Sequence, residues 1–222
     1  MKNNVNHRNI ALTIIILAGG KSARIGSNRD KVQMKLKGIR LIDWVIINLT
    51  SIKALSKSKI LIVGAKQRQF PYYQVINDIY HQKGPLGGIL TGLTFSDTDY
   101  NLIIGCDMPF VERKLIELMM KRINHFDIII PRHSKGLIEP LCAIYHKKSR
   151  SVIAKNILQG NLAVRSIFSS LKVGYISEID IRKIDPNLLS FFNINYQQDF
   201  CKAKQILSQQ RKKYFERKAN EW

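Results

Sequence analysis

The sequence predicts a single α/β domain built as three layers, α/β/α, around a doubly wound and mostly parallel sheet. Short aliphatic runs such as Leu12–Leu17, Lys59–Val63 and Leu102–Gly105 have the length and composition of strands buried on both faces. They alternate with amphipathic stretches of helical length, an order that calls for crossover helices on both sides of a parallel sheet. At 222 residues the chain suffices for one such domain, which buries roughly 70% of its unfolded-chain surface without covalent staples.

Each element follows from the local pattern. Leu12–Leu17 is a buried parallel strand. Val32–Leu36 reads as extended and Leu41–Leu55 as an amphipathic helix. Lys59–Val63 is a second buried strand ending at Gly64, and Tyr73–Ile76 a third. Gly84-Pro85 opens a helix over Leu86–Phe95, because proline suits a first helical turn. Leu102–Gly105 is a fourth strand, followed by a helix at Glu112–Asn124 and strands at Asp127–Ile130 and Leu141–His146. Lys148–Leu158 and Leu162–Leu171 read as helical, Val173–Ile176 as extended, and the last helix begins near Gln197. With no repeat, low-complexity tract or linker, residues 10–201 are expected as one domain. A loose tail at 1–9 precedes it and a basic helix or tail at 202–222 follows.

The stretch Leu17-Ala-Gly-Gly-Lys-Ser-Ala-Arg-Ile-Gly-Ser-Asn-Arg-Asp-Lys31 carries the strongest chemical signal. Gly19, Gly20 and Gly26 let backbone N–H groups turn toward a ligand. Arg24 adds a forked donor and Lys31 a point charge. A strand ending in such a loop suits phosphate. It is not a P-loop, since Ile15 stands where the first glycine of that motif belongs, and G-x-G-x-x-G does not fit either.

In doubly wound sheets ligands sit outside the carboxyl ends of the strands, and three further polar clusters fall there. Asp78 precedes Gly84-Pro85-Leu86-Gly87-Gly88, where Gly87 and Gly88 suggest a planar group, such as a nucleobase, packed close. Cys106-Asp107-Met108-Pro109-Phe110 places a carboxylate at a buried strand end, where it needs a partner. Mg²⁺ is a natural one, as is the next turn's backbone. Cys106 reads as a small core residue. In Phe192-Asn193-Ile194-Asn195, alternation puts Asn193 and Asn195 on one face of a short strand. Taken alone, Asn195 is better read as a cap for the final helix. His81 and His133 read as surface or pocket-rim residues, and Arg165 could reach a phosphate or a surface acid.

Together, Leu17-Ala-Gly-Gly-Lys-Ser-x-Arg-Ile-Gly with Asp30-Lys31, Gly-Pro-Leu-Gly-Gly-Ile, Cys-Asp-Met-Pro-Phe, Glu139-Pro140-Leu141 and Phe-Asn-Ile-Asn resemble the molybdenum cofactor guanylyltransferases, in matching order over residues 12 to 200. The resemblance implies a Rossmann-like nucleotidyltransferase fold and Mg²⁺-dependent transfer of GMP from GTP to the terminal phosphate of molybdenum-molybdopterin, with pyrophosphate leaving. It implies catalytic roles for Arg24, Lys31 and Asp107. Nucleotide contacts would come from Leu17, Ala18, Gly19, Gly20, Lys31, Asp78, Gly84, Pro85, Leu86, Gly88 and Asp107, with Asp107 also holding the metal. Asn193, Asn195 and Arg165 would serve the acceptor. Molybdenum-insertion proteins and molybdoenzymes are the protein partners it suggests. Two positions depart from the family pattern. Ile25 replaces a methionine, and Gly64 stands where some members carry an asparagine that touches the nucleotide.

Composition bounds the alternatives. A net charge of +20, from 36 Lys and Arg against 16 Asp and Glu, would attract any polyanion. The basic residues are scattered and lack interleaved aromatics, and the Lys- and Asn-rich usage fits codon bias, which argues against a nucleic-acid-binding protein. Cytidylyl or other nucleotidyl transfer to a phosphorylated acceptor remains the second enzymatic reading. Cys106, Cys142 and Cys201 are odd in number and widely spaced, as in a reducing compartment. Ile10–Leu17 runs into Gly-Gly-Lys rather than a cleavage site, and no run reaches membrane-spanning length, so a cytoplasmic protein is expected.

Overall fold

In the computed structural model, which describes residues 11–19, 31–134 and 136–219, β1 (Leu12–Leu17) lies inside an eight-stranded sheet. All of its residues are buried, and its side chains divide between two cores: Ile14 and Ile16 face one, Ile15 and Leu17 the other. A strand covered on both faces has no use for polar alternation, which explains the unbroken aliphatic run. A small hairpin, β2 (Lys35–Leu36) with β3 (Ile39–Arg40), leads into α1 (Leu41–Thr50). β4 (Ile60–Val63) and β5 (Gln74–Ile76) then extend the sheet in parallel on one side of β1. Through α2 (Gly84–Phe95) the chain returns to β6 (Tyr100–Gly105), parallel to the other side of β1.

The remaining elements are α3 (Arg113–Lys121), β7 (Ile128–His133), β8 (Leu137–Ile138), β9 (Cys142–His146), α4 (Ser149–Leu158), β10 (Val173–Ile176), α5 (Glu178–Ile184) and α6 (Gln197–Ala219). The strand order is β10-β7-β9-β6-β1-β4-β5, with β8 attached to β7. Within this sheet, among the described residues, only β8 and β9 run antiparallel to the strands they pair with. Helices α1, α3 and α5 cover one face, while α2, α4 and the 3-10 segment Val164–Ser170 cover the other. The three-layer, mostly parallel fold is as expected. Winding reverses at β1, so the loops leaving β1, β4 and β6 open side by side, the place where such sheets bind ligands.

Three local expectations need correction. The helix expected over Leu41–Leu55 ends at Thr50. Leu49, Ile52 and Leu55 remain buried, but three-residue spacing is met by successive turns, with Ile52 N–H bonded to Leu49 O and Leu55 N–H to Ile52 O. Val164–Ser170 is a 3-10 rather than an α-helix, with Ile167 its one buried residue. The short helix α5 went unforeseen although its signals are present. Ser177 accepts from Asp180 N–H at 3.2 Å, acids fill the first turn, and Arg182 and Lys183 fill the last.

At the opposite edge of the sheet from the loops after β1, Asp127 joins three strands. Its carbonyl accepts from His146 N–H at 2.7 Å, its carboxylate from Lys172 N–H at 2.9 Å, and Lys148 Nζ pairs with the same carboxylate. Burial raises its pKa, but the Lys148 ammonium and the Lys172 N–H outweigh this and hold the carboxyl below its ordinary value. A lowered carboxylate pKa contributes stability that is full above the unfolded value and disappears as pH falls through the folded one. Urea unfolding of Asp127→Asn is therefore expected to lose part of the steep acid limb below about pH 4. An unchanged acid limb would show that this network does not couple to folding.

Candidate functional site

The crevice is built from three strand ends in register. Leu17 stands opposite Val63 on one side and Gly105 on the other. Beyond it, Ala18 N–H donates to Val63 O at 2.8 Å and Cys106 N–H donates to Leu17 O at 3.1 Å. These bonds carry the sheet one step past its strands and bring the first loop, Gly64 and Asp107 to one edge. Leu17 and Ala18 are buried, while Gly19 is exposed at the mouth. Gly20 and Arg24 lie outside the described residues, as does the side chain of Lys31.

Gly64 was not among the expected site residues, yet it shapes the loop after β1. Its φ of +84° is a left-handed conformation, and a Cβ placed there would stand 2.8 Å from Gly19 Cα and 2.9 Å from Gly19 N. The two glycines touch because neither has a side chain. Two residues past the end of β5, Asp78 is engaged in structure. Its Oδ1 accepts from Thr91 Oγ1 at 2.8 Å and from Tyr80 N–H at 3.0 Å, tying the loop after β5 to α2.

The Gly84–Gly88 turn differs from the expectation of a planar group resting on its glycines. Gly84, with φ +60°, and Pro85 begin α2 at an exposed position. Leu86 is fully buried in the core. A Cβ on Gly87 would meet Tyr80 O at 2.7 Å, and one on Gly88 would meet Leu17 Cδ2 at 3.4 Å. The protein itself fills the space over both residues. Gly87 makes room for the Tyr80 loop, and Gly88 faces Leu17 of β1 beside the crevice.

Asp107, half-buried, stands two residues past the end of β6. A Cβ on Gly105 would fall 2.6 Å from its Oδ1, so glycine there gives the carboxylate its room. Asn48 of α1 donates to Pro109 O at 2.9 Å, and Glu112 N–H donates to Ser190 Oγ at 3.0 Å, so the loop is braced from two sides. Its main-chain carbonyl accepts from Ile194 N–H at 3.0 Å. That bond joins the third and fourth sequence clusters. Cys106 is buried, as a core residue should be.

The strand expected at Asn193–Asn195 does not form. The N–H groups of Phe192 and Ile194 go to Leu189 O and Asp107 O, leaving no ladder to join. Ile194 is fully buried against Leu36, Leu41 and Ala203, with Asn193 and Asn195 on either side of it. Asp199, whose Oδ2 accepts from Asn195 N–H at 3.0 Å and Tyr196 N–H at 2.8 Å, anchors the start of α6. α6 continues unbroken past residue 202, and Ala203 and Leu207 pack in the same cluster. Arg165 donates to Gly136 O at 3.4 Å, in the turn between β7 and β8, and makes no ion pair with an acid among the described residues.

Comparison with known proteins bears directly on this edge. Residues 14–174 match the family model of the MobA-like NTP transferase domain. The molybdenum cofactor guanylyltransferase of Desulfosudis oleivorans is 33% identical over 195 residues, 87% of this chain and 94% of that protein. A protein of Natranaerobius thermophilus, named a probable molybdenum cofactor guanylyltransferase, is 34% identical over 204 residues, 88% of this chain and 96% of its own. The chain belongs to the molybdenum cofactor guanylyltransferase family. It is therefore a nucleotidyltransferase, and its fold agrees. The crystal structure of molybdopterin-guanine dinucleotide biosynthesis protein A from Archaeoglobus fulgidus superposes with a TM-score of 0.73 at 28% identity, covering 89% of this chain and 99% of that one.

Seen as a guanylyltransferase, the chain carries a pair of residues that sequence reading passed over. His133, expected at the surface or a pocket rim, is buried, and its Nε2 lies 2.9 Å from Glu139 Oε1. The His133 ring stacks on Phe191 at 4.4 Å between centroids and 3° between planes. Burial pushes the Glu139 carboxyl up from the usual glutamate range, the bond to His133 opposes this, and the Asp107 charge adds to the rise. The available signal was the strand end itself, since His133 closes β7 as Gly105 closes β6. Among the described residues no helix is long and apolar enough to cross a membrane.

Proposed function

We propose that the crevice holds GTP along the loop after β1 and molybdenum-molybdopterin toward the Phe191–Asn195 segment, with Asp107 between them. The observation that carries this reading is the bond from Ile194 N–H to Asp107 O. It ties the Phe191–Asn195 segment to the main chain of Asp107, and so supports a meeting place for the two substrates there.

A terminal phosphate oxygen of the pterin attacks the α-phosphorus of GTP. A new phosphoanhydride bond forms, the α–β bond breaks, and pyrophosphate leaves with its electron pair. No general base is needed, since a phosphate monoester is already largely ionised near neutral pH. The protein's task is alignment and charge neutralisation. Backbone N–H groups of Gly19 and Gly20, with Arg24 and Lys31, would hold the triphosphate, and Leu17 and Ala18 would border it. Asp78 and the exposed Gly84–Pro85 turn would border the nucleoside, with Leu86 and Gly88 supporting that turn from below. Asn193, Asn195 and Arg165 would line the acceptor side.

The donor set also suits Mg²⁺. Asp107 offers one hard carboxylate at the strand end, and magnesium commonly combines one or two carboxylates with phosphate oxygens and water. Bound there, the ion would supply Lewis-acid neutralisation of charge developing on the α-phosphate. The reading implies a cytoplasmic site of action and molybdenum-insertion proteins and molybdoenzymes as partners.

Base choice provides the test. Purified protein supplied with molybdenum-molybdopterin and Mg²⁺ is expected to turn over GTP at least about tenfold faster than CTP at equal concentrations, a discrimination one or two hydrogen bonds to the base can supply. Preference for CTP would overturn guanylyl transfer in favour of cytidylyl transfer.

A further inference from the structure

His133, Glu139 and Phe191 belong to no step of the chemistry above, yet they complete a circuit around the acceptor side. Asp107 O holds Ile194 N–H at 3.0 Å, and Ile194 lies three residues from Phe191. Phe191 stacks on His133, and His133 bonds to Glu139. Glu139 is in turn placed by its N–H to Pro131 O at 3.2 Å, while the Leu141 carbonyl accepts from Gly105 N–H at 2.9 Å. Glu139 thereby stands beside the strand end that carries Asp107, near enough to feel its charge. The side chains of His133 and Glu139 are only 9% and 20% exposed. Burying such a pair costs desolvation that well-packed apolar residues would avoid, so its presence here points to geometry rather than stability.

Resting on the guanylyl-transfer reading, we propose that the His133–Glu139 pair is a positioning element for the pterin substrate. Through the Phe191 ring it sets where the segment bearing Asn193 stands relative to Asp107. Neither residue touches a reacting atom. Losing the pair lets Phe191 shift and with it the acceptor-side wall, while the loop after β1, on the far side of Asp107, stays in place.

The test separates the two substrates. Equilibrium binding of molybdenum-molybdopterin and of GTP·Mg²⁺ is measured anaerobically on the whole protein, alongside steady-state turnover. His133→Phe keeps an aromatic stack and removes the bond to Glu139; Glu139→Leu removes the other partner. Phe191→Leu removes the stack. Each is expected to weaken pterin binding and raise its KM by about tenfold, the loss of one buried hydrogen bond or ring contact, with the GTP values within about twofold. Glu139→Gln retains an acceptor for His133 and should restore pterin binding to within about threefold of the unaltered protein. This rescue is something a merely structural role would not produce, and the near-isosteric variant guards against misfolding of the others. Equal weakening of both substrates, no weakening of either, or failure of the glutamine rescue would overturn the proposal. Pterin binding without GMP transfer by the unaltered protein overturns the guanylyl reading alone. No pterin binding overturns both.

Discussion

Asp107→Ala is expected to lower Mg²⁺-dependent GMP transfer by about 10²–10³-fold, the scale of removing one group that stabilises transition-state charge. The chain should still fold. One structural contact of Asp107 is made by its main-chain carbonyl, which receives Ile194 N–H, and alanine keeps that group. The flanking loop retains its bonds from Asn48 and to Ser190. What alanine removes is the carboxylate above Gly105. Thermal unfolding should therefore change little while turnover collapses. Asp107→Asn preserves shape and removes charge, so it should fail nearly as badly. Substantial activity in the asparagine variant would show that charge at this position is not what the reaction uses. Titrating Mg²⁺ completes the comparison, since a metal-binding role predicts partial recovery at high metal concentration.

Gly64→Ala is expected to cost about 1–3 kcal/mol of stability and to raise the KM for GTP by about tenfold or more. Two effects act together. A φ of +84° disfavours any residue with a side chain. The new methyl group also meets backbone, Gly19 Cα at 2.8 Å, which has no rotamer to move out of the way. The loop after β1 has to shift at the residue expected to face the triphosphate. Urea unfolding measures the first effect and GTP binding the second. Gly64→Asn separates them: asparagine tolerates the left-handed region better, yet carries the same Cβ, so its stability should recover more than its GTP affinity. Unchanged GTP binding in both variants would remove Gly64 from the site.

The outline of the fold was legible because β1 and β4, in the middle of the sheet, are aliphatic on both faces. Ile14, Ile15 and Ile16 in succession leave no other reading than a strand between two cores. Helix limits were less legible. Leu49, Ile52 and Leu55 are buried whether the chain continues as helix or breaks into turns, and hydrophobic spacing alone does not distinguish the two. Glycine was visible as a letter, but its use was not. Gly87 and Gly88 look like room for a ligand and prove to be room for β1 and the Tyr80 loop. Gly64 looks like an ordinary strand terminus and proves to be the partner of Gly19.

Asp107 was identifiable from local sequence because a carboxylate closing a buried strand needs a partner wherever the rest of the chain goes. The same holds for Leu17–Gly19, whose position follows from β1. His133 and Glu139 were not identifiable in that way. Each residue alone is a common polar side chain on a short hairpin, and what makes them a pair is the stack on Phe191, donated by a segment nearly sixty residues downstream. Sequence by itself determined the layers, the strand ends and the family, since all three rest on short runs whose burial and backbone geometry are local. Tertiary structure alone decided which strand ends meet, that Gly64 presses on Gly19, and that Asp107 is joined through Ile194 and Phe191 to His133. Those relations depend on parallel register and crossover, in which residues far apart in the chain become neighbours only after the sheet has closed around β1.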